Sequence, residues 1–154
     1  MFRFEPVNDC YAVNNSALII NNLSGKALDV PGASFDKEER PLQWEINRRF
    51  NQRWVFHRHG QGVIIQSLLN GLCCDIAGEK RDPGSKVILW DRTGGSNQVW
   101  IPEQTGPNVY RLRSAHEGSL FLSIKKESVE NGGLLEVTDN DCPSIYWRIE
   151  GQQP

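Results

Sequence analysis

Asp75, Asn97 and Gln98 combine one carboxylate with two carboxamides, and Trp90 adds an indole 8 residues before Gln98. A carboxylate accepts several hydrogen bonds, a carboxamide donates and accepts, and an indole presents a flat apolar face. Such a set suits a neutral ligand with paired hydroxyls on one side and C–H groups on another. A matching polar set, Asp29, Asn51 and Gln52, stands 46 residues earlier. The displacement is the same at four anchors: Gly25 to Gly71, Asp29 to Asp75, Gln52 to Gln98 and Trp54 to Trp100. Ser, Cys and His, by contrast, fall in no motif that joins a nucleophile to a base and an orienting group.

A period this long implies repeated supersecondary units. A third, eroded copy supports it. Gly118-Ser119-Leu120-Phe121-Leu122-Ser123-Ile124 stands where the Asp motif belongs, and Ser144-Ile145-Tyr146-Trp147 where Asn-Gln-x-Trp belongs; Trp147 follows Trp100 by 47 residues. Each copy reads as about four short strands. In the first, residues 17–20 are rich in β-formers, 28–30 precede Pro31-Gly32, 42–46 alternate apolar and polar, and 54–56 close the unit. The second places strands at 63–66, 73–76, 87–90 and 100–101, and the third at 109–112, 120–124, 135–137 and 147–149. Turn chemistry separates them, as at Asp82-Pro83-Gly84, Thr93-Gly94-Gly95 and Asn131-Gly132-Gly133. No window carries a helical period. The pattern predicts an all-β chain: an extended lead-in over 1–16 ending in an Asn14-Asn15-Ser16 turn, then one domain over 17–154 with repeats near 17–60, 61–106 and 107–150. Units of this size cannot each bury a core, so three should close into one barrel-like core.

The chain has 154 residues, enough for one domain with a sizeable core. Its net charge is −2 and its pI about 5.9, with both signs interspersed. That gives no electrostatic footprint for nucleic acid or an anionic membrane. No apolar run approaches the roughly 18 residues of a membrane helix. Met1-Phe2-Arg3-Phe4-Glu5-Pro6 shows no secretory signal, so a cytoplasmic location is expected. Cys10, Cys73, Cys74 and Cys142 lack paired spacing, and adjacent Cys73 and Cys74 should point to opposite faces of a strand. They read as reduced thiols. Without a Cys-x-x-Cys or His cluster, neither a metal site nor a cofactor is expected.

The pattern Gly-x-x-x-Asp-Val/Ile, a loop with Pro or Gly, Leu-Trp and then Asn-Gln-x-Trp resembles the ricin B-chain-like (Gln-x-Trp) lectins over roughly residues 17–150. The resemblance implies a β-trefoil of three subdomains with up to one sugar site in each. It also implies binding, without catalysis, of glycans of the galactose or N-acetylgalactosamine type. By the same resemblance Asp75 takes paired hydroxyls, Trp90 stacks on the sugar, Asn97 donates to a hydroxyl and Gln98 braces Asp75 and Asn97. Ile88 holds a position that is often a polar Gln, which removes one contact. Asp29, Asn51 and Gln52 take the corresponding places in the first unit.

The third strand of that unit admits two registers. Trp44 precedes Gln52 by 8 residues, as Trp90 precedes Gln98. Alternation instead sends Leu42 and Trp44 to the core and Gln43 and Glu45 to the site. The second register is favoured, because the first buries Pro41 and Gln43. The first site is then expected to use Gln43 and to lack a stacking ring unless Phe50 or His57 supplies one. The third unit, with Ser123, Glu136 and Ser144-Ile145, is expected to bind no sugar in this mode.

Structural roles compete with these. Trp54, Trp100 and Trp147 read as core, Trp90 could serve packing, and Asp29 and Asp75 could cap turns. His57, His59, His116 and Lys125-Lys126-Glu127 read as surface. Asn14 and Asn22 head glycosylation acceptors that matter only in a secreted chain. Asp29 and Asp75 lie in different repeats, expected to be too far apart for glycoside hydrolysis. A second functional class stays open: a β-trefoil protein-binding scaffold, such as a protease inhibitor or cytoskeletal binder. Two copies of the polar set weigh for the lectin. Single sites of this kind bind weakly, so avidity would come from two sites or from a homodimer.

Overall fold

The β-branched and aliphatic runs become strands, and turn residues end them. A computed structural model describes residues 16–151 and contains twelve strands. The first unit comprises β1 (Ala17–Asn21), β2 (Ala27–Asp29), β3 (Leu42–Trp44) and β4 (Trp54–His59). The second comprises β5 (Gly62–Ser67), β6 (Cys73–Ile76), β7 (Val87–Trp90) and β8 (Trp100–Gly106). The third comprises β9 (Val109–Ser114), β10 (Phe121–Ile124), β11 (Leu135–Thr138) and β12 (Tyr146–Gly151). Among the described residues the only helices are single 3₁₀ turns such as Phe50–Gln52 and Ser96–Gln98. Most of the expected lead-in, with Cys10 and the Asn14-Asn15 portion of its turn, lies outside the described residues.

Six strands pair antiparallel in a closed ring, β1–β4–β5–β8–β9–β12 and back to β1. Closure removes the exposed edges that an open sheet would carry. The other six form one hairpin per unit, β2–β3, β6–β7 and β10–β11. This is a β-trefoil. Trp54, Trp100 and Trp147 are fully buried in its core. Each donates its indole N–H to a carbonyl on the second strand of its own unit: Leu28 at 3.0 Å, Cys74 at 3.3 Å and Leu122 at 3.1 Å. Those carbonyls belong to the residues just before Asp29, Asp75 and Ser123. The tryptophan of each motif therefore fixes the strand that carries the first site residue.

Each hairpin loop also crosses to the third strand of another unit. Glu38 and Glu39 make paired backbone hydrogen bonds with Leu89, Gly84 and Ser85 with Val137, and Gly132 and Gly133 with Gln43. Gln43, Leu89 and Val137 are thus equivalent positions of the trefoil.

That equivalence overturns the expected placing of Gln43. β2 and β3 pair Asp29 with Leu42, Leu28 with Gln43 and Ala27 with Trp44. β6 and β7 pair Asp75 with Ile88, Cys74 with Leu89 and Cys73 with Trp90. Gln43 occupies the core position of Leu89, and both it and Pro41 are buried, while Trp44 is 44% exposed on the face of Asp29. Burying an unpartnered carboxamide would be costly. Here it is satisfied: Gln43 Nε2 donates to the carbonyls of Ser128 (2.8 Å) and Glu130 (2.9 Å), and Oε1 accepts from the Ser24 hydroxyl (2.8 Å).

Cys74 enters the main core, and Cys73 packs on the opposite side with Ile64 and Val99. Cys73, Cys74 and Cys142 are free thiols. Burial pushes the Cys73 thiol up to about 12 and raises Cys74 well above the ordinary value, so both stay protonated at neutral pH.

Candidate functional site

In the second unit β6 turns Asp75 away from the core, opposite Ile88 and on the same face as Trp90. The Ser96–Gln98 turn brings both amides to it. Asn97 Nδ2 donates to Asp75 Oδ1 at 3.1 Å and to the Ile76 carbonyl at 3.3 Å. Gln98 Nε2 donates to Asp75 Oδ2 at 2.9 Å and to the Asp91 carbonyl at 2.7 Å, while its Oε1 accepts the Thr93 N–H at 2.8 Å. Gln98 is fully buried and fully engaged, so it braces Asp75 and the following turn instead of meeting a ligand. Asn97 is held by Asp75 itself. A carboxylate offers about four lone-pair directions; two amide donors leave room on Asp75 for ligand hydroxyls. Lys37, from the first unit, pairs with Asp91 at 2.5 Å and sets Nζ 5.5 Å from the centroid of the Trp90 ring.

The first unit repeats the arrangement. Asn51 Nδ2 donates to the two oxygens of Asp29 at 3.2 and 3.1 Å. Gln52 Nε2 donates to Asp29 Oδ2 and to the Glu45 carbonyl, both at 2.8 Å, and Gln52 Oε1 accepts the Asn47 N–H at 2.8 Å. Leu42 faces Asp29 as Ile88 faces Asp75, and Trp44 takes the place of Trp90. Asp29, Trp44 and Asn51, with Pro31, Asn47 and Arg49, enclose an open cleft of about 400 Å³. Among the described residues no cation overlies the Trp44 ring.

Neither candidate ring proposed for this site serves it. Phe50 is 57% exposed and lies outside the cleft, with the Arg53 guanidinium over it. His57 hydrogen-bonds to Gln66 and feels Arg92 of the second unit. The ring at this site is Trp44, as its spacing to Gln52 signals; the alternation favoured over that spacing sends it to the core instead. Sequence reasoning missed Arg49 and Lys37; only the hairpin crossings bring Lys37 to Trp90.

The third unit keeps the frame without the set. Ser123 stands opposite Glu136, Thr138 takes the ring position, and the pair before Trp147 is Ser144 and a fully buried Ile145. The Ser123 hydroxyl donates to the Glu136 carbonyl at 3.3 Å. The depression there, about 370 Å³, is lined by no aspartate and no aromatic residue.

Burial raises both aspartates above the ordinary value of 3.8; the amide donors Gln52 and Asn51, and Gln98 and Asn97, pull them back in part, and Glu79 adds to the rise at Asp75. Among the described residues no group of three or more His, Cys, Asp or Glu is placed to hold a metal ion.

A family description of ricin-type β-trefoil lectin domain-like proteins matches residues 1–90 and 50–138. The chain belongs to this family. It is a β-trefoil lectin domain, with a carbohydrate-binding role. No curated protein sequence matches it. Among solved structures, the designed three-fold symmetric protein ThreeFoil is 26% identical with a TM-score of 0.84, over 88% of this chain and 97% of that one. An exo-β-1,3-galactanase from Clostridium thermocellum is 27% identical with a TM-score of 0.84, over 89% of this chain. The lectin domain spans only 30% of that enzyme. The C-half of an earthworm R-type lectin, solved with GalNAc, is 21% identical with a TM-score of 0.67, over 90% of this chain and 99% of that one. At that identity the likeness is one of fold.

Proposed function

We propose that this lectin domain binds glycans ending in galactose or N-acetylgalactosamine through two shallow sites and turns over no substrate. The first site is Asp29, Asn51 and Trp44, and the second Asp75, Asn97 and Trp90. The observation that carries the reading is the carboxylate, carboxamide and indole assembled twice on the same glutamine brace. Adjacent ring hydroxyls donate to the aspartate, the asparagine completes the polar side, and the indole covers C–H groups. A galactoside suits this pairing, because its axial 4-hydroxyl leaves the opposite ring face rich in C–H groups. GalNAc in the earthworm relative supports the same sugar class. The first site is the more open, since Lys37 lies over the ring of the second.

Shallow sites of this kind bind one monosaccharide with a dissociation constant on the order of a millimolar, about −4 kcal/mol. Two sites, or a homodimer, supply avidity. The test is a glycan array on the full chain, alongside Asp29→Ala, Asp75→Ala and the double variant. Galactosyl signal that falls in each single variant and vanishes in the double supports the proposal. A blank array on folded protein overturns it in favour of a protein-binding scaffold.

A further inference from the structure

We propose that the first site prefers galactosides carrying an anionic substituent, a carboxylate or a sulfate ester, and that Arg49 recognises it. This rests on the galactoside reading above. The turn between the third strand and the Asn-Gln pair is built alike in two units: Gln52 Oε1 holds the Asn47 N–H as Gln98 Oε1 holds the Thr93 N–H. On that frame the first unit carries Asn47-Arg48-Arg49 and the second Thr93-Gly94-Gly95. The central residue is left-handed in both, with φ of 59° at Arg48 and 77° at Gly94. Glycine adopts that conformation freely and arginine does not. The residue after it, Arg49, is extended, with φ of −84°, and it is Arg49 that lines the cleft.

The two arginines have different engagements. Arg48 is tied to Glu150 at 3.1 Å. Arg49 walls the cleft with Asp29, Trp44 and Asn51, and among the described residues its guanidinium has no acidic partner. The nearest acid in sequence, Glu45, takes the Asn131 amide at 3.2 Å. Nor is Asp29 the partner: among the described residues no ion pair joins it to Arg49, and its side-chain hydrogen bonds come from Asn51 and Gln52, which leaves the carboxylate to the sugar. An unpaired guanidinium at the rim of a neutral-sugar site can reach a group beyond the stacked ring. Its planar fork matches carboxylate and sulfate oxygens. The second site has glycines at this place, which confines the preference to the first.

The test uses an Asp75→Ala chain, so that only the first site reports. Lactose, 6′-sialyllactose and 6′-sulfolactose are titrated calorimetrically; both anionic sugars leave the galactose 3- and 4-hydroxyls free. The anionic sugars should bind roughly two- to five-fold tighter than lactose, as for an exposed ion pair. That ratio should shrink between about 0.05 and 0.5 M salt as the screening length falls. Arg49→Gln should bring it close to one. Tighter binding of just one anion supports the proposal and names the source of the charge. Equal or weaker binding of both anions, with lactose bound, overturns it and leaves the lectin reading standing. An advantage that survives Arg49→Gln overturns it too. Failure of lactose to bind overturns the galactoside reading and this inference together. Should Asp75→Ala misfold by circular dichroism, Trp90→Ala silences the second site instead.

Discussion

Replacing Gln43 by alanine should destabilise the trefoil without weakening sugar binding at a bound-ligand concentration where the chain is folded. Gln43 makes three side-chain hydrogen bonds, to Ser128, Glu130 and Ser24. Each such bond contributes about 0.5–1.5 kcal/mol net. Water can reach part of the freed partners, all of them only part-buried, which favours the lower half of the summed range. The loss is then about 2–3 kcal/mol, or a fall in Tm of roughly 5–10 °C for a domain of this size. Urea unfolding followed by tryptophan fluorescence measures the first part, and lactose titration at 15 °C the second. Trp44→Ala should give the converse result. Its ring is 44% exposed, so stability should change little, while the first site loses its apolar face. About 1.4 kcal/mol of lost contact is a tenfold weakening. A Gln43→Ala chain that unfolds like the parent but loses lactose would refute the register, as would a Trp44→Ala chain that keeps full affinity at the first site.

Lys37→Ala, made in an Asp29→Ala chain so that only the second site reports, should strengthen lactose binding by about two- to five-fold. An exposed cation–π contact of roughly 0.5–1 kcal/mol no longer competes for the Trp90 ring; unchanged or weaker binding would show that Lys37 does not mask it. Acidification should release sugar at a midpoint above 3.8, because burial raises both aspartates and only the carboxylate accepts paired hydroxyls. Folding has the opposite sign: raised folded-state values make these groups' stability contribution greatest below the unfolded value and lost as pH rises through the folded one. Lactose titrations from pH 7 to 3 check this, and a midpoint at or below the ordinary aspartate value of 3.8 would contradict the burial seen here.

The repeat was legible because its anchors are backbone-bound. Gly25 and Gly71 take positive φ, and the tryptophans bond to carbonyls at fixed places, so their spacing cannot drift. Asp29, Asp75, Asn51, Asn97 and both glutamines followed from those anchors. The register of β3 was not legible by alternation. A polar residue next to a tryptophan reads as the outward one, and here it points inward. Its partners, Ser128 and Glu130, come from a loop of another unit, 85 and 87 residues further along. Local pattern holds no record of such a contact. Lys37 escaped for the same reason, since only the crossing of the first hairpin loop onto β7 brings it to Trp90.

The third unit acts as an internal control for what the polar set does. It keeps the buried tryptophan, the bond from Trp147 to Leu122 and the loop crossing at Val137, yet it has Ser123, Ser144 and Ile145 where the others have Asp, Asn and Gln. The trefoil frame therefore closes without that set. Holding a carboxylate under cover is unfavourable, as the raised Asp29 and Asp75 values express, and two or three amide bonds offset it only in part. Carrying the third unit's residues into the second, as Asp75→Ser with Asn97→Ser and Gln98→Ile, should thus leave stability within about 1 kcal/mol of the parent. Replacing a buried polar group together with its partners is close to neutral, whereas removing one partner is not. The Thr93 N–H and Asp91 carbonyl lose Gln98, but the turn they occupy faces water. Lactose titration in an Asp29→Ala background should find the second site gone. Denaturant unfolding that showed a loss above roughly 3 kcal/mol would mean that the network serves the fold, and the argument from its duplication to carbohydrate binding would lose its footing.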